Sequence, residues 1–273
     1  MILVTGANGN LGSAILTALR TRGTTAAGGS RTPGEGTRRL DFDDPAGLDL
    51  TGTSTLVLVS AGYAEDDRVI ARHAAVLDAA ARDGVGHVVY TSLTTAGDHL
   101  AFAAAHRATE RLLRTGPLPW TILRNGLYAE LFGALLTWTG DGLESPFGDG
   151  ALAAVARTDL ADAAAAVAAD PAPHRGRTLD LVGPPVTAAQ VADRLGVPHR
   201  DIDLGEYRRR LDGMPGLLPF QPPMLASIAT TIRHGFLADT TPDLTDLLGR
   251  PAHDPLAVAA STAAANRPAV AVA

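Results

Sequence analysis

At 273 residues with a hydrophobic content of 46%, the chain carries enough apolar surface for a sizeable core, which excludes a disordered protein. It contains no cysteine and no lysine, its 23 basic residues all being arginine, so disulfides, thiolate metal sites, cysteine nucleophiles and every lysine-based catalytic role are ruled out. The formal charge of −6 gives no general attraction to nucleic acid, and no apolar run approaches the roughly 18 residues of a membrane span, so neither partner is expected.

Met1 runs straight into a short apolar strand with no basic leader before it, and the expected location is cytoplasmic. Ile2–Thr5 is followed by glycines and then by Leu11, Ala14, Ile15, Ala18 and Leu19 at helical spacing, which gives strand, turn, helix. Weaker strands are expected over Ala26–Ser30 and 38–42. The alternation returns with a strand at 55–60 and a helix at 69–81, a strand at 87–91 and a helix at 101–113, then a strand at 120–124 and a helical segment at 128–138. Apolar strands separated by helices specify an α/β fold, a doubly wound parallel-sheet Rossmann arrangement.

Beyond residue 140 the pattern is less regular. A strand at 151–157, an alanine-rich helix at 160–169 capped by Asp159, and a strand at 177–182 are expected, followed by small helices at 187–195, 204–211 and 225–234. The resulting division is a dinucleotide-binding core over 1–140, a smaller substrate-side subdomain over 141–258, and a flexible tail over 259–273. Homodimerisation is an expectation from the fold alone.

Gly6-Ala-Asn-Gly9-Asn-Leu-Gly12 lies between a strand and a helix, the context in which a glycine turn cradles a pyrophosphate. Gly6 allows the turn, Gly9 lets the backbone approach the ligand, and Gly12 lets the helix pack on the strand, with Leu11 among them. The helix N-terminus then faces the negative charge. Asn8 and Asn10 either border this site or simply form the turn. At the end of the second strand stands Arg31 with no acid beside it, and its guanidinium suits a 2′-phosphate, so NADP is expected, with NADPH preferred over NADH. Arg38 and Arg39 are either auxiliary or solvated. Asp41 and Phe42 suit an adenine edge and face, unless Asp41, Asp43 or Asp44 caps a helix.

Val4-Thr-Gly-Ala-Asn-Gly-Asn-Leu-Gly12, Asp41-Phe-Asp-Asp-Pro45, Gly86-His-Val-Val-Tyr-Thr-Ser92 and Leu123-Arg-Asn-Gly-Leu-Tyr128 together resemble the NmrA-like atypical short-chain dehydrogenases. Within that group the pattern is similar to the type 2 NAD(P)H:quinone oxidoreductases, whose His-x-x-x-Glu helix is matched by His106 and Glu110. The resemblance implies a nicotinamide near Ser60, Ala61 and Gly62, near Thr91 and Ser92, and near Arg124, Asn125 and Gly126. Typical short-chain dehydrogenases use a Tyr-x-x-x-Lys pair. At the equivalent place this chain has Phe102-x-x-x-His106, so the usual proton exchange with a carbonyl cannot operate there.

His106 can donate to a ribose hydroxyl with Glu110 one turn away to orient it, or the two can be a surface pair. A quinone or similarly activated enone needs no strong general acid, only an apolar slot and donors for the developing oxyanion. Candidate donors are Asn125, Tyr128 and Ser92. Each has a structural alternative: Ser92 and Asn125 as caps of strand-end backbone groups, Tyr128 as core. Tyr63 can close over the site, and Phe132, Trp138, Phe147 and Phe220 can line it or belong to the core. The eight histidines form no cluster of metal-ligand spacing on a predicted helix face, so no metal is expected. The sequence thus supports an NADPH-dependent reductase of a small apolar or aromatic substrate, with a non-catalytic redox sensor or co-regulator and a tailoring reductase or epimerase of secondary metabolism as alternatives.

Overall fold

The computed structural model describes residues 1–34, 36–61 and 64–268. β1 (Ile2–Thr5) leads into α1 (Asn10–Thr21), then β2 (Ala26–Ser30) and β3 (Thr37–Arg39). β4 (Thr55–Val59), α2 (Asp66–Arg82), β5 (His87–Leu93), α3 (Ala103–Thr115) and β6 (Trp120–Asn125) follow. The second half contains α4 (Ala129–Ala134), β7 (Thr137–Thr139), β8 (Gly142–Ser145), β9 (Ala151–Ala153), α5 (Arg157–Ala169), β10 (Thr178–Leu181), β11 (Pro185–Thr187) and α6 (Ala188–Leu195). It closes with β12 (His199–Asp201), α7 (Leu204–Asp212), α8 (Gln221–Arg233), α9 (Asp243–Leu248) and α10 (Pro255–Ala265).

A seven-stranded sheet runs in the order β10-β6-β5-β4-β1-β2-β3, with every adjacent pair parallel. Successive side chains of a strand point to opposite faces, and both faces are apolar here. Ile2, Val4, Val57, Val89 and Leu123 pack on one side with α1 and α5. Leu3, Leu56, Leu58, Val88, Tyr90 and Ile122 pack on the other, with α2. The chain winds outward from β1 through β2 and β3, then crosses back to place β4 on the other side of β1. This reversal opens a crevice at the carboxyl ends of the strands, where ligands of such sheets bind.

The division at residue 140 is not a structural border. β10 pairs with β6 at the edge of the main sheet, and α5 packs across α1. The three-stranded sheet β12-β8-β7 and the β11-β9 pair instead build a satellite core, in which Phe132 and Phe147 stack at 5.3 Å. The Ala/Val-rich stretch beginning at residue 259 is likewise no tail over the described residues. Ala259, Ala260 and Ala263 are buried, because α10 lies against α4 so closely that a Cβ on Gly133 would stand 2.2 Å from the Ala259 carbonyl oxygen. Residues 269–273 lie outside the described residues.

Other boundaries move for local reasons. The strand expected at 38–42 ends at Arg39, because the Asp41 carboxylate turns the chain by accepting the Asp43 N–H at 3.1 Å. The helical segment at 128–138 stops at Ala134, and Thr137–Thr139 pairs antiparallel with β8. Asp159 is not the cap of α5. That position belongs to Ala156, and the Glu130 carboxylate accepts the Arg157 N–H at 3.2 Å. Asp159, fully buried, instead holds His253 and Arg250, each at 2.8 Å. Among the described residues no helix is long and apolar enough to cross a membrane.

Candidate active site

The glycine turn is built by sterics. Gly6 sits at φ +63, a conformation that side chains rarely adopt, and a Cβ on Gly12 would lie 2.2 Å from the Gly6 carbonyl oxygen. Gly9 donates its N–H to that same oxygen at 2.8 Å and occupies the N-cap of α1 with no side-chain hydrogen bond. The first turn of α1 is therefore left with backbone donors facing outward, the arrangement that receives phosphate. Asn8 is committed elsewhere: its Nδ2 donates to the Ser30 hydroxyl at 2.9 Å and to the Thr32 carbonyl at 3.1 Å, tying the turn to the end of β2. Arg31, exposed, follows directly. Arg38 donates to the Thr51 carbonyl and Arg39 approaches Asp41 at 3.8 Å.

A cleft of about 840 Å³ runs from this turn across the sheet's carboxyl edge. Gly6, Asn8, Gly9, Asn10, Leu11, Gly12, Arg31, Asp41 and Phe42 line one end; Ser60, Ala61, Thr91, Ser92, His106, Asn125 and Tyr128 line the other. Gly62 and Tyr63 lie outside the described residues. The far wall is apolar: Phe102 and Leu131 face Phe220, Met224 and Ile228, contributed by α8 and the residue before it. Phe132 and Phe147 are fully buried in the satellite core, and Trp138 donates its indole N–H to the Ala263 carbonyl, so of the four aromatics only Phe220 reaches the cleft.

Two polar networks fix the strand ends. In one, the Ala61 N–H donates to His73 Nε2 at 3.0 Å, which places the ring proton on Nδ1, 2.8 Å from the Thr109 hydroxyl. Thr109 passes its own proton to the Ala105 carbonyl. Burial pushes His73 down to about 3, so it is neutral at physiological pH. Tyr90 meets His73 edge-on, and its hydroxyl lies 2.9 Å from His106 Nδ1. Burial, reinforced by the Arg107 charge, pushes His106 down to about 4.

In the other, Glu110 is fully buried and does not touch His106, contrary to its spacing. It accepts hydrogen bonds from Arg124 at 2.9 and 2.6 Å, from Arg107 at 2.9 Å and from the Ser92 hydroxyl at 2.7 Å. Burial alone pushes the Glu110 carboxyl up, but the bonds from Arg124 and Ser92 and the arginine charges outweigh it and hold it below its usual range. The Ser92 proton is therefore spent on Glu110, which removes Ser92 as a donor into the cleft. Thr91 is committed too, since its Oγ1 accepts the Ser60 N–H at 3.3 Å.

Asn125 is different. Its backbone carbonyl accepts the Thr94 N–H, but among the described residues its buried Oδ1 has no partner. Tyr128, at the N-cap of α4, lies under the Arg157 guanidinium at 4.9 Å. Burial raises its hydroxyl, so it stays protonated. The site thus offers a phosphate cradle, a neutral histidine, an amide and a phenol beside an apolar wall. Among the described residues no group of three or more His, Asp or Glu can hold a metal ion. Sequence reasoning missed Tyr90, His73, Arg157 and Met224, all of which read locally as ordinary core or surface.

Comparison with known proteins gives this geometry its relatives. Residues 6–171 match the NAD(P)H-binding family. Quinone oxidoreductase 2 of Escherichia coli is 30% identical over 92% of this chain and 94% of its own length. The crystal structure of NADPH-dependent quinone oxidoreductase from the same organism, complexed with NADPH, superposes with a TM-score of 0.83 at 28% identity, covering 96% of this chain and 99% of that one. Triphenylmethane reductase of Citrobacter sp., complexed with NADP(H), gives a TM-score of 0.85 at 29% identity over 96% and 99% of the two chains. The negative transcriptional regulator NmrA, in complex with NAD, shares the fold at 16% identity and a TM-score of 0.74 over 95% and 94%. With the phosphate turn intact and more than half its length matched, this chain belongs to the NAD(P)H-binding family.

Proposed function

We propose that the chain is an NADPH-dependent reductase that delivers hydride to a quinone or a similarly activated carbonyl or enone, without a Tyr-x-x-x-Lys pair. One observation carries this reading: a single cleft joins the open phosphate turn and Arg31 to an apolar wall that includes Phe102, with His106 also lining it. The NADPH and quinone chemistry of the relatives fits both halves of that cleft.

The residues fit a dinucleotide. The Gly6–Gly12 turn and the first turn of α1 would hold the pyrophosphate, and Arg31 would pair with the 2′-phosphate. Asp41 and Phe42 would take the adenine, while Ser60, Ala61 and Thr91 would border the nicotinamide end. His106 would donate to a ribose hydroxyl from Nε2. A bound reduced nicotinamide supplies the hydride. Asn125 and Tyr128 stand as donors for the oxygen that gains charge, and Phe102, Leu131, Phe220 and Met224 exclude water from a flat acceptor. Aromatisation stabilises the product anion, so solvent completes the protonation and no buried acid is required. Ser92 has no part in these steps beyond anchoring Glu110.

The test is loss of NADPH absorbance with purified protein and a panel of benzoquinones and naphthoquinones, against NADH and no-enzyme controls. Saturable oxidation with NADPH preferred supports the reductase. NADPH binding without turnover of any quinone or enone in the panel overturns it in favour of a sensor.

A further inference from the structure

We infer that Tyr90 is a positioning residue: its hydroxyl donates to His106 Nδ1 and fixes the neutral imidazole with Nε2–H turned to the cleft. This rests on the cleft being the dinucleotide site. The chain then replaces the charged lysine donor of a typical short-chain dehydrogenase with an uncharged one whose proton position is set from behind.

The direction of the bond follows from basicity and from what else each group can reach. An imidazole nitrogen is a far better acceptor than a phenol oxygen, and the tautomer of a neutral histidine is set by the bond its other nitrogen makes. The Tyr90 hydroxyl is 2.9 Å from Nδ1 and its side chain is fully buried, so this phenol cannot reach a substrate. It is not a displaced catalytic tyrosine, and burial pushes its ionisation well above the ordinary range. Among the described residues no protein group is bonded to His106 Nε2, while His106 itself lines the cleft. The groups around the ring are the Phe102 edge at 6.4 Å, Tyr90 of β5 with His73 of α2 behind it, and Arg107 and Glu110 of α3. None of these competes for Nδ1, and the Ser60 and Thr109 hydroxyls also lie against the Tyr90 oxygen, with Thr109 giving its proton to the Ala105 carbonyl. His73 is pinned by the Ala61 N–H, and Glu110 by its arginines.

Two readouts separate this from a merely structural tyrosine. In the protein without cofactor, long-range proton–nitrogen NMR of the histidine rings is expected to place the His106 proton on Nε2 in the wild type, and to give mixed or Nδ1–H signals in Tyr90→Phe. By calorimetry, NADP⁺ is expected to bind Tyr90→Phe roughly fivefold more weakly, the loss of one hydrogen bond. That loss should vanish in a His106→Gln background, because an amide has no tautomer to set. Tyr90→Phe keeps the ring between His73 and His106 and removes one atom, and an unchanged melting transition confirms its fold. An Nδ1–H wild type, or a Tyr90→Phe variant with unaltered tautomer and NADP⁺ affinity, overturns the inference. A wild type that binds no NADP⁺ overturns the cofactor reading instead, and the tautomer spectra still decide the part played by Tyr90.

Discussion

Glu110 holds Arg124 by two points, Nε to Oε1 at 2.9 Å and Nη2 to Oε2 at 2.6 Å, and thereby ties α3 to the carboxyl end of β6, one residue before Asn125. With Arg107 and Ser92 on the same carboxylate, the pair is the internal fastening of the site floor. Removing the acid leaves the half-buried Arg107 and Arg124 charges uncompensated, which costs up to about 3 kcal/mol. Glu110→Gln should lower unfolding stability in urea by that order. Ser92→Ala should cost only about 1 kcal/mol and keep turnover, because its hydroxyl serves Glu110. A large loss of kcat in Ser92→Ala at normal stability would return Ser92 to the chemistry.

Acid lability follows from histidine burial. His73 is held down to about 3 and His87 and His106 down to about 4, below the 6.5 of the unfolded chain. Between those values the unfolded state binds more protons. Stability is therefore full above about pH 6.5 and falls as pH drops toward 4, by on the order of 2 kcal/mol per histidine at pH 5. Glu110 adds a second loss at lower pH, since its lowered carboxyl contributes fully above 4.5 and ceases to contribute as pH falls through its folded value. Urea midpoints at pH 7 and pH 5 measure the first effect, and His87→Gln should flatten the slope.

The glycine turn makes a paired prediction. A Cβ on Gly12 meets the Gly6 carbonyl at 2.2 Å, whereas one on Gly9 stands 3.2 Å from the same oxygen. Gly12→Ala should therefore cost about 1–3 kcal/mol of stability and weaken NADP⁺. Gly9→Ala should leave stability within about 0.5 kcal/mol while reducing NADP⁺ affinity on the order of tenfold, because it adds bulk at the helix N-cap that the pyrophosphate would approach. Thermal melts and calorimetry on the two variants decide it.

Arg31 follows β2 and is open to solvent, while Arg38 and Arg39 already have partners. Arg31→Asp should lower kcat/KM for NADPH by about 10- to 100-fold and leave NADH nearly unchanged. An equal effect on both cofactors would remove Arg31 from the 2′-phosphate.

What the sequence makes legible is set by the range of the forces involved. Gly6, Gly9 and Gly12 are legible because a turn's steric demands are local, and the sheet because β1, β4, β5 and β6 are apolar on both faces. Phe102 and His106 stand out only through the resemblance, and both line the cleft. Glu110 misleads: its spacing places it beside His106, but Arg124 and Ser92, from other elements, offer a buried carboxylate stronger bonds. Tyr90 is silent because a tyrosine in an apolar strand reads as core until its hydroxyl finds a partner. Strands of three residues such as β9 and β11 are too short for periodicity to register. The alanine-rich α10 carries little amphipathic contrast, so its packing against α4 is invisible before the fold is known.

In the proposed reaction, hydride passes from NADPH to a quinone within this cleft with no other redox group. Flavin-free protein loaded with NADPH should be mixed anaerobically with a naphthoquinone in a stopped-flow single turnover, once with ordinary NADPH and once with NADPH deuterated at the transferred position. Oxidation of the bound NADPH within the turnover, slowed by deuterium, is the expected result. NADPH that stays bound and unoxidised in the presence of the quinone would contradict it.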